Sequence, residues 1–399
     1  MSTNFYPIVC RAAPSKKRVY KPEQVITLVS SVPTNTDYEQ NKEIWTAQQI
    51  VAALFKNALG AIVGNLINIF LAFYLLIQVF PLQPLLSWFL FGQCLNFLRV
   101  LLLKAYSSGS GRLSSKQWLR MHHVLTGISG LHFGVLAMLF FHPDLPLYQA
   151  FIVMLVGGSA AAAVGTHGID LTSYRLFLFL SAIPLIGRLM YEGTEVYQAV
   201  SIMLILLVVV MHRTARQTEV AMVSNIEMSF SLRYRATHDT LVSLLNRDEF
   251  QNLYDEKQSQ QNDEHINTLM FIDLDNFKQL NDILGHHAGD DALRKVGDII
   301  RASIRKTDIA ARFGGDEFMI CLHTDQIDDA VIIGDKILSA IRDFGTGLIP
   351  GGSPLGASVG IGYTTNPDLS YTDLLKVADQ ACYRAKREGK GKVCIQDAP

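Results

Sequence analysis

Two short runs place acids where strands end. Thr268-Leu269-Met270-Phe271-Ile272-Asp273-Leu274-Asp275 leads apolar residues of strand type into two aspartates. About forty residues later, Arg312-Phe313-Gly314-Gly315-Asp316-Glu317-Phe318-Met319-Ile320 sets two glycines and two acids between apolar flanks. Gly-Gly-Asp between such flanks is a hairpin signal, and glycine lets another molecule approach the backbone closely. Carboxylates are hard oxygen ligands suited to Mg²⁺ carried on phosphates. Asp273 at one strand tip, with Asp316 and Glu317 on the hairpin, would make a two-carboxylate clamp for a metal on nucleotide phosphates. The hairpin alone reads equally as an ordinary solvated turn; the upstream strand ending in acids favours the clamp.

The elements that must position these acids follow from periodicity and turn residues. A helix is expected over 247–259 and a strand over 268–274, then helical segments around Asn281–Asp290 and a long helix to Ile304. After the hairpin come a helix near 327–343, a Gly- and Pro-rich loop (345–354), a strand (356–363), a helix (371–388) and a strand (392–396). This order suits a four- or five-stranded antiparallel sheet with helices on one face. Upstream, 213–236 is a polar helix carrying Val220, Val223, Ile226, Phe230 and Tyr234 at three- and four-residue steps, a stripe expected to pair with a parallel copy.

The segment from about Ala236 to Val393 resembles a GGDEF domain of the diguanylate cyclase family. The resemblance is carried by Gly314-Gly315-Asp316-Glu317-Phe318, by Asp273-Leu274-Asp275-Asn276-Phe277-Lys278, by Asn281, His286 and Asp290, and by the tail Ala378 to Lys390. It implies an α+β domain with a ferredoxin-related, palm-like antiparallel sheet. The implied reaction condenses two GTP into cyclic di-GMP and two pyrophosphates within a homodimer, with two Mg²⁺ (or Mn²⁺) per active site.

By the same resemblance the Asp273 side chain, the Leu274 carbonyl, Asp316 and Glu317 hold metal, and Asp316 is the candidate base. Phe277 and Lys278 give backbone N–H groups to the phosphates, and Lys386 and Lys390 give cations. Asn281 and Asp290 read the guanine edge, with His286 beside them. Arg305 and Asp308, separated from Gly314 by five residues, match an inhibitory product site. The chain departs from the family at Val242 and Ser243, where Thr and Gly are usual, and at Lys390, where Arg is usual.

Only 18% of the 399 residues are charged and the net charge is −1, so there is no global case for nucleic-acid binding. The five cysteines show neither metal spacing nor a disulfide framework, consistent with a reducing compartment. Apolar residues concentrate in six segments, roughly 58–80, 82–103, 124–141, 147–164, 171–190 and 196–212, with five as the alternative count. Spanning a bilayer takes ~20 residues, so the later segments need interfacial residues to complete the crossing.

Lys104, Arg112, Lys116, Arg120 and Arg175 lie in the loops expected on one side, whereas Pro81, His142–Pro146 and Tyr191–Glu195 carry no Lys or Arg. The positive-inside rule then puts the N-terminus and the GGDEF-like segment in the cytoplasm of an inner-membrane protein. The domain expectation is an N-terminal tail (1–46) that is mostly irregular and has a basic cluster from Arg11 to Lys21, then a transmembrane sensor (47–212), a helical linker (213–236) and the cyclase-like domain (237–399).

Asn57, Asn65, Asn68, Asn96, Arg99, His132, His167 and Arg188 sit within the apolar segments, with His122 and His123 at one mouth. They are expected to hydrogen-bond between helices, the alternative being a ligand, haem or metal site. Two other functional classes compete with the cyclase: a catalytically silent receptor for GTP or cyclic di-GMP, and a transporter with a regulatory cyclase. All four acids and glycines of the motif are intact, which disfavours the first, and the segments show no inverted repeat, which disfavours the second.

Overall fold

The computed structural model describes residues 35–109, 113–142, 144–258, 266–324, 326–348, 351–366 and 369–398. The basic cluster Arg11–Lys21, Cys10 and Arg112 lie outside the described residues. Six helices long and apolar enough to cross a membrane come first: α1 Asn35–Leu76, α2 Leu82–Ser107, α3 Ser115–Leu139, α4 Pro146–His167, α5 Leu171–Glu192 and α6 Glu195–Thr237. Their ends are written locally. Pro146 opens α4, the Asp170 carboxylate caps α5 by accepting from the Ser173 N–H at 2.8 Å, and Gly193 closes α5 at φ 71.

Helix α1 starts at Asn35, inside the tail expected to be irregular. The last apolar segment and the linker form one continuous helix of 43 residues, ~65 Å long. Near its end Phe230 is buried against Tyr38 and Trp45 of α1, with ring centroids 5.4 and 5.5 Å apart, and Tyr234 meets Tyr38 at 4.8 Å. The lower part of the apolar stripe is thus covered within the chain rather than left for a parallel copy.

The bundle packs α3 on α5 at backbone distance. A Cβ at Gly130 would lie 2.7 Å from the Phe177 carbonyl oxygen, and one at Gly134 2.3 Å from that of Leu180. Small residues permit this backbone approach between helices. Some polar groups within the bundle are partnered, whereas buried atoms of Asn96, Arg99 and His167 have no hydrogen-bond partner among the described residues. Trp88 Nε1 donates to the His132 carbonyl, His132 Nε2 bonds the Trp88 carbonyl (both 3.0 Å), and the two rings stack at 4.4 Å. Asn68 donates to Ser159 at 3.0 Å, and Arg188 pairs with Glu192 at 2.6 Å.

The C-terminal domain runs α7 Arg247–Gln258, β1 Ile266–Asp275, α8 Phe277–Leu284, α9 His286–Ser303, β2 Ile309–Gly314, β3 Glu317–Thr324, α10 Ile327–Gly345, β4 Gly356–Thr364, α11 Tyr371–Arg387 and β5 Val393–Asp397. The sheet order is β2-β3-β1-β4-β5. It is mixed rather than antiparallel, because β5 runs parallel to β4. Helix α11 carries the chain back between them, and a helical crossover returns the next strand in the same direction.

Helices cover both faces, not one. Met270, Ile272 and Leu274 of β1 pack with Leu293, Val296 and Ile337 from α9 and α10. Leu269 and Phe271 pack with Phe250, Leu374 and Ala378 from α7 and α11. A strand buried on both sides reads as a continuous apolar run, so its sequence does not reveal that the second face is covered.

Candidate active site

The acids meet where β1 ends. In the β1–β3 register Asp273 lies opposite Glu317, and the Leu274 N–H donates to the Asp316 carbonyl at 3.2 Å. The β2–β3 hairpin reaches this point through Gly314 (φ 149) and Gly315 (φ 53). A Cβ at either position meets nothing within 4 Å, so backbone conformation rather than space requires glycine there.

Arg312 fixes the hairpin. Its Nε and Nη2 donate to the Gly315 carbonyl at 3.0 and 2.7 Å, and its Nη1 donates to the Asp239 carboxylate at 3.2–3.3 Å. Asp239 in turn accepts from the Leu241 and Val242 N–H groups at 2.9 and 3.0 Å. The turn below helix α6 is therefore tied directly to the hairpin.

Burial raises the proton affinity of Asp273, and Asp316 and Asp275 add to it, against the Lys386 ammonium bound at 2.5 Å. Burial likewise raises Glu317, reinforced by Asp273 and Asp316. Burial disfavours the charge on Lys386, but Asp273 outweighs it and holds the ammonium above its usual value. Among the described residues no group of three or more His, Cys, Asp and Glu is arranged to hold a metal alone. Two facing, partly desolvated carboxylates do fit Mg²⁺ that arrives on phosphates, since that ion takes only one or two carboxylates from protein.

Helix α8 begins one residue after β1. Its N-cap Asn276 is left-handed (φ 64) and makes no side-chain cap, and Phe277 and Lys278 occupy the first two helical positions. Unclaimed N–H groups at a helix start suit phosphate. Lys390 reaches the same point, donating to Asn276 Oδ1 at 3.2 Å. Asn281 lies on α8 and Asp290 on α9, while His286 is the exposed first residue of α9. The buried Asn281 Oδ1 has no hydrogen-bond partner among the described residues. It lies against Gly289, where a Cβ would come within 1.8 Å.

Residues 236–392 match the sequence model of the family described as "Diguanylate cyclase, GGDEF domain". This domain belongs to the GGDEF family. The chain is 35% identical over 172 residues to the probable diguanylate cyclase DgcE of Escherichia coli, a match covering 43% of this chain and 16% of that protein. It is 39% identical over 166 residues to the diguanylate cyclase TpbB of Pseudomonas aeruginosa, covering 40% and 38%. It is 28% identical over 256 residues to the uncharacterised protein YhcK of Bacillus subtilis, covering 63% and 64%. The chain thus spans less than two thirds of the length of each of these relatives. The solved coiled coil and GGDEF domain of DgcB from Caulobacter crescentus, in complex with c-di-GMP, aligns at TM-score 0.40 and 26% identity, covering 45% of this chain and 96% of that one.

Arg305 and Asp308 of the GGDEF domain lie at the far end of β2 from the Gly314–Gly315 turn. The Arg305 side chain is exposed, 3.8 Å from Asp329. The Asp308 carboxylate is buried and accepts from the Arg305 N–H at 2.8 Å, so it shapes the turn that presents Arg305. Asp275, the second acid of its motif, is buried and accepts from Ser358 Oγ at 3.0 and 3.2 Å and from the Gly391 N–H at 3.3 Å. It joins β1 to β4 and to the loop after α11.

The roles of Arg312, Asp239 and Gly289 are not visible in the sequence. Arg312 next to the glycines is the one local signal, and its partner is 73 residues away. Ser243, at the position where the family usually has Gly, has φ 55. The chain keeps a left-handed backbone there and forgoes the residue that adopts it freely.

Proposed function

We propose that this protein is a membrane-bound diguanylate cyclase that condenses two GTP into cyclic di-GMP with release of two pyrophosphates. The observation that carries this reading is the register setting Asp273 opposite Glu317 with Asp316 beside Leu274, next to the start of α8 and Lys386. Asn281 and Asp290 select guanine, whose N1–H and 2-amino group donate to carboxylate and amide oxygens, as adenine cannot. The N–H groups of Phe277 and Lys278, with Lys386 and Lys390, bind and orient the phosphates, and His286 stands at the open edge of the nucleotide pocket.

Asp273, the Leu274 carbonyl, Asp316 and Glu317 hold the metal. Bound there with GTP, Mg²⁺ supplies charge stabilisation on the phosphates and lowers the pKa of the attacking hydroxyl. Asp316 takes the proton of the ribose 3′-hydroxyl as that oxygen attacks the α-phosphate of the second GTP. Each domain binds one nucleotide and the product contains two, so two chains face each other. Arg305, presented by the Asp308 turn, binds product away from the acids.

In this reading the chain comprises an N-terminal tail (1–46), a transmembrane sensor (47–212), a linker (213–236) and the GGDEF domain (237–399), with the catalytic domain on the cytoplasmic face of the inner membrane. Lys104, Lys116, Arg120 and Arg175 all fall on that side of the six-helix arrangement, with the supply of GTP. The test is synthesis by full-length protein in detergent. GTP with Mg²⁺ should yield cyclic di-GMP, and ATP should yield nothing. A folded dimer that makes no product from GTP would overturn the assignment.

A further inference from the structure

The helical bundle contains a cavity of about 30 Å³, lined by Phe55 and Ile62 of α1, Arg99 of α2, His122 and Leu125 of α3 and His167 of α4. The sequence does not link these basic residues, which come from three helices. Arg99 is 8% exposed, and its Nη2 is buried with no hydrogen-bond partner among the described residues. His167 is 5% exposed, and its Nδ1 is likewise unpartnered. The His122 and His167 rings lie 5.2 Å apart, and His122 Nδ1 bonds Ser173 Oγ at 3.0 Å. Among the described residues no acid lines the cavity. The nearby carboxylate of Asp170 is occupied by His123 Nε2 at 2.7 Å and the Ser173 N–H at 2.8 Å.

Elsewhere in the bundle Asn68 and His132 are hydrogen-bonded and Arg188 has a carboxylate partner, while Gln93, Asn96 and His212 each leave one neutral-type nitrogen unpartnered. An unpaired guanidinium stays charged, and burying it in a membrane region is costly without a counter-anion. A metal cation is the wrong sign beside Arg99, and no metal-ligand group is assembled among the described residues.

We infer that this cavity binds a monocarboxylate with an apolar body, its head on Arg99, His122 and His167 and its body against Phe55, Ile62 and Leu125. The free space, enough for about two waters, matches a carboxylate head, and the planar guanidinium fork matches its two oxygens. The wall of the cavity is connected to the linker. His122 bonds Ser173 in the first turn of α5, and the Leu171 N–H of that turn donates to Glu219 Oε1 of α6 at 2.9 Å. A head group that draws His122 toward Arg99 would load the contact between α5 and the helix leading into the GGDEF domain. The site itself does not rest on the cyclase reading; only this regulatory consequence does.

The test is binding of radiolabelled oleate and butyrate to full-length protein in phosphatidylcholine nanodiscs, with methyl oleate and butyramide as uncharged competitors. At least one carboxylate should bind saturably and resist its uncharged analogue, and Arg99→Gln should weaken it about tenfold or more. Ile62→Trp, which fills the cavity and leaves Arg99 in place, should weaken it as well. Binding of oleate alone identifies a ligand drawn from the bilayer, and binding of butyrate alone a water-soluble one. The inference is overturned if neither carboxylate binds, if the uncharged analogue competes equally, or if a folded Arg99→Gln protein binds as the wild type does. Should Arg99→Gln fail to fold, unchanged binding by Ile62→Trp overturns it. Because binding is read without turnover, an inactive cyclase domain would leave the result intact.

Discussion

The bundle and the GGDEF domain position polar groups by different physics. In the domain, strand register does the work: Asp273 faces Glu317 because β1 pairs with β3 in one alignment, and a one-residue slip would send every side chain to the other face. In the bundle, close helix approach does it. Gly130 and Gly134 let α3 lie on the backbone of α5, and Gly92 lets α2 approach His132 of α3, where Trp88 pairs with it. The two regions also leave their unbalanced charges in different places. The domain gathers carboxylates at a strand end beside a helix start, whereas the bundle buries Arg99 beside His122 and His167 with apolar residues around them. The proposed chemistry rests on the first arrangement and the proposed ligand on the second.

The sharpest way to break this comparison is to remove the charge itself. Asp273→Ala and Asp316→Ala should each lower cyclic di-GMP synthesis about a thousandfold or more in a protein that still elutes as folded. Initial rates near wild type for either would refute the metal assignment. Arg312→Ala removes the bond from the hairpin to Asp239, so the acids stay but lose their support. A loss of about ten- to a hundredfold in kcat is expected, with Arg312→Lys partly restoring it, because small misplacements of reacting groups are costly. Equal rates in wild type and Arg312→Ala would show that β-pairing alone holds the hairpin.

Gly134→Val tests the bundle. Its Cβ would meet the Leu180 carbonyl, so thermal unfolding of full-length protein should reveal a loss of about 1–3 kcal/mol, with preference for GTP over ATP unchanged. No loss would mean that α3 and α5 do not need this approach.

Glu317→Gln gives a smaller effect of opposite sign. Folding raises the proton affinity of Glu317, so its ionised form destabilises the native state. That penalty is absent below the ordinary carboxylate value of 4.5, grows as pH rises from there, and is complete above the raised native value. In metal-free buffer at neutral pH the glutamine variant should therefore melt higher than wild type, and the difference should shrink on acidification. A lower melting temperature at neutral pH would count against the repulsive pair. The smallest effect is expected from Ser243→Gly, a gain of about 0.5–1 kcal/mol by denaturant unfolding, because glycine adopts the left-handed backbone there without strain. A loss of stability would mean that the Ser243 side chain is needed in that turn.

Much of the candidate site's placement on strands, turns and helices could be read from the chain because its signals are local. Apolar runs ending in Asp273, the Gly314–Gly315 turn and the Asn281–Asp290 stretch carry their element types and ends within a few residues. Apolar length alone likewise marked the six long helices. What the sequence determined by itself was therefore the inventory: which strands carry acids, which helices are long and apolar, and which family the motifs resemble.

Tertiary structure alone decided which residues meet. The parallel β5 and the second helical layer depend on where α11 crosses. Asp275 becomes a tie to Ser358 and Gly391 rather than a site acid because β4 lies beside β1, and Phe230 is covered by Tyr38 and Trp45 because α1 extends alongside α6. Arg312 with Asp239, and Arg99 with His122 and His167, are likewise meetings across long stretches of chain. The physical reason is common to all of them: turns and periodicity are fixed by neighbours in sequence, whereas the partner of a buried polar group is set by packing of distant elements, which no local pattern encodes.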